Sequence, residues 1–122
     1  MAKRDFRSTC SIARTLDVMG DKWTLLIVRD LLWHGKQTFQ ALQDSAENVP
    51  SNILSERLRR LTDWGLVRRE AYQQNPPRYA YRLTEEGRSL EPVLLQIMAW
   101  GHRHLGGGRY DPKTGKSRRA SA

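Results

Sequence analysis

At 122 residues the chain has the length of one domain, and its apolar content is ordinary for a sequence that buries a core. A formal net charge of +8 and a sequence pI near 10.3 point to nucleic acid as the first class of partner and an anionic membrane surface as the second. No apolar run approaches the ~20 residues of a membrane span, no apolar segment follows the basic start as in a secretory signal, and the single cysteine, Cys10, excludes an intrachain disulfide.

A cytoplasmic location is the expectation from that cysteine usage, with a link between two chains left open. Residues 1–9 read as a flexible basic arm carrying Lys3, Arg4, Arg7 and Phe6, which would order against a partner chain. A first helix is expected from Ser11 to Met19, with Ile12, Leu16 and Met19 on one face and Gly20 at its end. Asp21 then caps a second helix over 22–33, apolar almost all round and therefore central. Thr38 suits the N-cap of a short third helix over 39–44, with Phe39 and Leu42 inward.

The next stretch, 50–65, is the one on which the functional reading turns. Leu54, Leu58 and Leu61 recur at i, i+4 and i+7 and share an apolar seam, flanked by Ile53 and Trp64. Asn52, Ser55, Glu56, Arg59 and Asp63 point the other way. Pro50 and Ser51 suit a first helical turn, with the Ser51 hydroxyl as a cap, and Gly65 suits the left-handed residue after the end. Small hydrogen-bonding side chains at a helix start, followed by arginines, suit readout of base edges in a major groove. An ordinary core helix with a charged back has the same pattern, so the flanking segments decide. With the short helix before it, the segment forms a helix-turn-helix candidate.

After Gly65 the period changes to that of strands. Residues 66–72 and 79–83 flank the turn signal Asn75-Pro76-Pro77, with Tyr79, Tyr81 and Leu83 expected on the half-buried face and Arg78 at the tip. A long last helix is expected to begin at Thr84-Glu85-Glu86 and to bend at Pro92. Its apolar residues Leu90, Val93, Leu94, Ile97, Met98, Trp100 and Leu105 are wider than packing on a small domain requires, so a second chain could cover the excess. Residues 106–122 are rich in Gly, Ser, Lys and Arg and read as a disordered basic tail holding about half of the net charge. The domain proper is thus 10–105. Three helices, a recognition-like helix, a hairpin and a final helix give a mainly α fold with a small β-hairpin wing, the winged helix-turn-helix.

Several stretches also resemble a particular family. They are 10–27, with Gly20-Asp21-Lys22-Trp23-Thr24-Leu25-Leu26-Ile27 at its centre; Asn52-Ile53-Leu54-Ser55-Glu56-Arg57-Leu58-Arg59-Arg60-Leu61; Gly65-Leu66-Val67; and 76–87, with Pro76-Pro77-Arg78 and Leu83-Thr84-Glu85-Glu86-Gly87. In these the chain resembles the HxlR-type transcriptional regulators, relatives of the MarR-like winged-helix proteins, over about residues 10–101. The resemblance implies a bacterial, sequence-specific, DNA-binding homodimer that dimerises through its N- and C-terminal helices. Family members often open the recognition helix with Ser-Pro, whereas here the order is Pro50-Ser51, which places Ser51 behind Asn52 and Ser55 as a base-contacting residue.

The function expected is therefore that of a transcriptional regulator bound as a homodimer to a pseudo-palindromic double-stranded DNA site. Asn52, Ser55 and Arg59 would read base edges, Ser51 and Arg60 would act at the margins, Arg78 would grip the minor groove or backbone, and Lys36, Gln37 and Thr38 would anchor phosphates. Arg57, beside the apolar seam, is better explained by an ion pair with Glu56. Cys10 precedes the first helix with Arg7 and Arg14 near in sequence, which suits a reactive thiol. Some relatives sense oxidants or electrophiles through a cysteine at this place, so Cys10 is a candidate redox sensor, with a small buried residue at the dimer interface as the plainer reading. A small-molecule effector is a further expected partner; a membrane is not. No cofactor, metal cluster or catalytic constellation emerges, because His34, His102 and His104 lack ligands at metal spacing. The rival to DNA binding is a winged helix used for protein–protein assembly, which a net-neutral recognition helix would favour.

Overall fold

The protein is described by a computed structural model that covers residues 5–111, 113, 114 and the backbone of 116–119. Among the described residues six helices and four strands follow in the order α1 (Ser11–Met19), α2 (Thr24–Trp33), α3 (Phe39–Gln43), α4 (Ser51–Asp63), β1 (Val67–Gln74), β2 (Pro77–Leu83), α5 (Glu85–Arg88), α6 (Glu91–Leu105), β3 (Gly108–Asp111) and β4 (Lys116–Arg119). Two compact units contain them, one over residues 1–88 and one over 89–122.

In the first unit the core is drawn from α1 to α4 and both strands: Val18, Ile27, Val28, Leu42, Val49, Leu54, Leu58, Leu61, Leu66, Val67, Ala80 and Leu83 are buried. The seam predicted on α4 lies at the centre of this core, since Leu54, Leu58 and Leu61 are all nearly inaccessible, as are Val28 and Leu42. Burying three leucines contributes roughly 1.5–3 kcal/mol each, which holds α4 by one side and leaves the other outside. Asp21 starts α2 from two residues further out than a standard cap. Its carboxylate accepts the Trp23 and Thr24 N–H groups at 3.1 and 3.2 Å and the Thr24 hydroxyl at 2.5 Å. Thr38 caps α3 as expected, its hydroxyl accepting the Ala41 N–H at 3.2 Å.

β1 and β2 pair antiparallel with Val67 opposite Leu83, Arg69 opposite Tyr81 and Ala71 opposite Tyr79, and the register shifts between Ala71 and Gln73. The strands run closer to the turn than the sequence suggested, so Arg78 lies on β2 opposite Gln73 and not in the turn itself. The expected burial alternation on β2 fails at two positions: Tyr79 is exposed and Ala80 is buried. β2 is approached by α2 and α3 as well as paired to β1, and its Tyr81 N–H donates to the Gln37 carbonyl at 2.7 Å. A strand covered from more than one side does not keep a two-fold burial pattern.

Two glycines fix the joints of the wing. Gly65 follows α4 with φ +79°, the left-handed value that Gly adopts without strain. Gly87 packs so tightly that a Cβ there would sit 2.1 Å from the Leu66 carbonyl oxygen. Thr84 ties the same corner, its hydroxyl donating to Gly65 O at 2.6 Å and accepting the Gly87 N–H at 3.1 Å.

The expected long last helix is two helices. α5 ends at Arg88, and α6 begins at Glu91 with Pro92 in its first turn. There the missing N–H has no partner to lose, so Pro92 starts a helix where a bend was expected. In the second unit the expected disordered tail instead contains β3 paired with β4, and the Tyr110 N–H lies 3.1 Å from the Met98 sulfur. Gly106 and Gly107, both at positive φ, turn the chain out of α6 into that pair.

The expected arm at 1–9 falls partly outside the described residues, which begin at Asp5. From there the chain is held within its own unit. Phe6 lies 5.9 Å from the Trp64 ring, the Arg14 guanidinium sits 4.8 Å over Phe6, and Arg7 pairs with Asp17 at 2.5 Å. On α1 the residue that is buried is Val18, while Ile12 and Leu16 are 72% and 52% exposed. On α6 only Leu94 is buried; Val93, Ile97, Trp100 and Leu105 are exposed.

Candidate nucleic-acid interface

α4 divides its polar residues between two tasks. On one side Arg57 donates to Asp21 at 2.9 Å and pairs with Glu56, and Arg60 donates to Glu56 at 3.0 Å. The Arg57–Asp21 bond pins α4 to the start of α2, and Glu56 joins Arg57 and Arg60 along α4 itself. Burial opposes ionisation of Asp21, but the Thr24 hydroxyl, Arg57 and the Trp23 N–H outweigh it and hold the carboxyl at about 2. The ion pair expected between Arg57 and Glu56 is present, and Asp21 is a further partner that spacing alone did not reveal. Arg60, expected at the margin of the interface, is drawn into the same cluster.

On the other side Ser51, Asn52, Ser55 and Arg59 are exposed. Pro50 occupies the cap position with extended geometry, and no side chain caps the helix, so the hydroxyl expected of Ser51 as a cap is not used that way. Its position as first helical residue explains why: a cap accepts from N–H groups two or three residues ahead, and that place belongs to Pro50. Arg59 makes no ion pair among the described residues. The outer side of α4 thus presents small polar groups at its start and, two turns on, a guanidinium without an ion pair among the described residues.

The polar groups before α3 are largely engaged within the fold. Besides the Thr38 cap and the Gln37 carbonyl, the Lys36 ammonium donates to the Ser45 hydroxyl at 3.1 Å. Ser45 in turn bonds the buried carboxylate of Asp30. Arg29 reaches Asp30 at 3.0 Å and grips Glu47 with two bonds of 2.8 and 2.9 Å, which holds the Glu47 carboxyl at about 2. This network braces the connection between α3 and α4. Lys36 and Thr38 therefore act in the frame, while the Gln37 side chain remains exposed.

On the hairpin, Glu70 accepts from Arg68 at 2.8 Å and from Arg82 at 2.9 Å. Arg69 faces the opposite way. It stacks on Tyr79, its guanidinium 4.1 Å from the ring centre, and shares with α4 a groove of about 360 Å³ lined by Ser55, Leu58, Arg59, Thr62, Asp63, Arg69 and Tyr81. Arg78, near the turn, is exposed. The sequence reading did not single out Arg69. The signal was available: Arg68 and Glu70 lie two apart on one face of a strand, which leaves Arg69 on the other.

Cys10 occupies the cap position of α1 and is exposed. The cations near it in sequence are engaged elsewhere, Arg7 with Asp17 and Arg14 with the Ser8 carbonyl at 2.8 Å. Among the described residues no group of three or more His, Cys, Asp or Glu could hold a metal ion, and no helix is long and apolar enough to cross a membrane.

Comparison with known proteins places this architecture. The pattern of the HxlR-like helix-turn-helix family matches residues 18–108. YdeP of Bacillus subtilis, an HTH-type transcriptional regulator, is 37% identical over 95 residues, which are 78% of this chain and 73% of the relative. Among solved structures, the HTH-type transcriptional regulator YtcD superposes with a TM-score of 0.72 at 37% identity, covering 80% of this chain and 98% of the other. The redox regulator HypR in its oxidized form gives 0.67 at 38% identity, covering 78% and 97%.

Proposed function

The chain belongs to the HxlR-like helix-turn-helix family of transcriptional regulators, and from that premise we propose that it binds specific double-stranded DNA as a homodimer. The single observation that carries the reading is the division of labour on α4: one side is fixed by Leu54, Leu58, Leu61 and the Asp21–Arg57 pair, and the other presents Ser51, Asn52, Ser55 and Arg59 to a partner. Asn bonds adenine with two hydrogen bonds and Arg bonds guanine likewise, each worth about 1–3 kcal/mol of discrimination. Arg78 adds a contact to the backbone or minor groove, and the exposed Gln37 side chain lies at the margin. Lys36 and Thr38 support the reading helix from behind, and Arg60 acts mainly through Glu56. A winged helix used for protein assembly would not need unpaired Arg59 beside Asn52 and Ser55.

The exposed apolar residues of α1 and of α6 supply surface for a second copy. Two copies would place their α4 helices in major grooves roughly one helical turn, ~34 Å, apart on a pseudo-palindromic site. Occupancy of a promoter then regulates transcription, and no catalytic step is involved. A small molecule, or oxidation at the exposed Cys10, would act by changing the separation of the two reading helices. The relative HypR is named a redox regulator, and two chains each carrying one exposed thiol can form a link that a single chain cannot.

Fluorescence anisotropy of the reduced protein tests this reading, with duplex DNA from upstream of its own gene and from neighbouring promoters against a scrambled duplex. One of these duplexes should bind ~10³-fold or more tightly than the scrambled control. Failure to bind any duplex at low salt would refute DNA binding.

A further inference from the structure

We propose that Arg69 on the wing clamps one DNA backbone phosphate in the groove between the hairpin and α4, while Arg59 across the groove keeps its base contact and adds positive charge to the groove. The inference rests on the DNA-binding reading above and adds a contact that neither the sequence pattern nor that reading includes.

The hairpin carries four arginines, and the structure sorts them. Arg68 and Arg82 both close on Glu70, which neutralises one of their two charges and holds both side chains against their own face of the hairpin. Arg78 sits beside the turn. Arg69 makes no ion pair among the described residues and sits over the Tyr79 ring. Stacking holds the guanidinium plane while its five N–H groups remain directed outward along the edge. A side chain fixed in this way loses less freedom when it binds, which favours a phosphate contact.

Across the groove stands Arg59, also without an ion pair, with the exposed Ser55 one turn earlier on the same helix. Leu58 and Tyr81 line the groove between them. The remaining polar linings are already engaged or repel an anion. The Thr62 hydroxyl donates to the Leu58 carbonyl at 2.8 Å, and Asp63 lies one turn beyond Arg59. The acid therefore disfavours a phosphate at its own end of the groove and favours one toward Ser55 and Arg59. The groove, with a volume of about 360 Å³, is roomy enough to admit a phosphate group. With two guanidinium groups against one carboxylate, the groove is complementary to an anion, and a strand passing between a helix in the major groove and the wing supplies one.

The test compares full-length variants on the duplex that binds the wild type and on a scrambled duplex, over a range of salt. Arg69→Ala should weaken both duplexes by about tenfold at near-physiological salt and reduce the slope of log K against log salt by about one. Arg69→Lys keeps the charge without the planar fork and should retain most of the slope with weaker binding. Arg68→Ala removes the same charge from the adjacent position and should leave the slope near that of the wild type. A wild-type slope and affinity in Arg69→Ala would overturn the clamp, as would an equal loss in Arg68→Ala, which would make the effect one of net charge. Absence of wild-type binding to every duplex is a different outcome, which removes the DNA-binding reading itself and the clamp with it.

Discussion

At the start of α3, the Thr38 hydroxyl accepts the Ala41 N–H, the Gln37 carbonyl receives the Tyr81 N–H, and Lys36 reaches Ser45. At the start of α4, Pro50 holds the cap position and Ser51, Asn52 and Ser55 stand exposed with no side-chain cap bond. The two helix starts use similar residue types. What separates them is whether the rest of the fold approaches: β2 and the α3–α4 connection close over the first, and the second faces outward. Polar residues at a helix start thus serve structure or recognition according to what is packed beside them.

The comparison is broken most severely through the exposed end of α4. Asn52→Ala combined with Arg59→Ala should remove about 1–3 kcal/mol of base discrimination per contact while leaving the melting temperature close to that of the wild type, since both side chains are exposed and neither makes an ion pair among the described residues. Next in size is the cap contrast. Thr38→Ala should lower unfolding stability by about 1 kcal/mol, measured by denaturant titration, whereas Ser51→Ala should change it by no more than a few tenths. Equal losses would mean that Ser51 caps α4 in solution.

A third test concerns the ion pairs behind the interface. The carboxyls of Asp21 and Glu47 are held at about 2, against 3.8 and 4.5 for the free groups. A lowered folded value means that their contribution to stability is complete above the free values and is lost as pH falls toward about 2. The difference in melting temperature between wild type and Asp21→Asn should therefore shrink as pH is lowered from about 5 to about 2. A difference independent of pH would show that the charge of Asp21 is not what Arg57 uses.

Much of this arrangement was legible in the sequence because short-range rules govern it. The bounds of α1, the Thr38 cap, the leucine seam of α4 and the left-handed Gly65 all follow from spacing and local backbone preference. Features set by tertiary approach were not. The break at residues 89–90 turns on Pro92 starting a new helix, which an uninterrupted helical pattern hides. Ala80 is buried and Tyr79 exposed because other elements approach β2. The same applies to the interface. Asn52, Ser55 and Arg59 were found from the polar side of one helix, whereas the sorting of Arg68, Arg69 and Arg82 required the strand register and the position of Glu70. Asp21, 36 residues from Arg57, could not be assigned to it by local spacing.

The most direct test sets the Asn52→Ala, Arg59→Ala double variant beside Thr38→Ala in one anisotropy titration against the specific and scrambled duplexes. The account predicts that the double variant loses at least about tenfold of the affinity ratio between the two duplexes, and that Thr38→Ala keeps that ratio despite its lower stability. Loss of the ratio in Thr38→Ala with its retention in the double variant would place recognition at α3 and contradict the assignment of α4 as the reading helix.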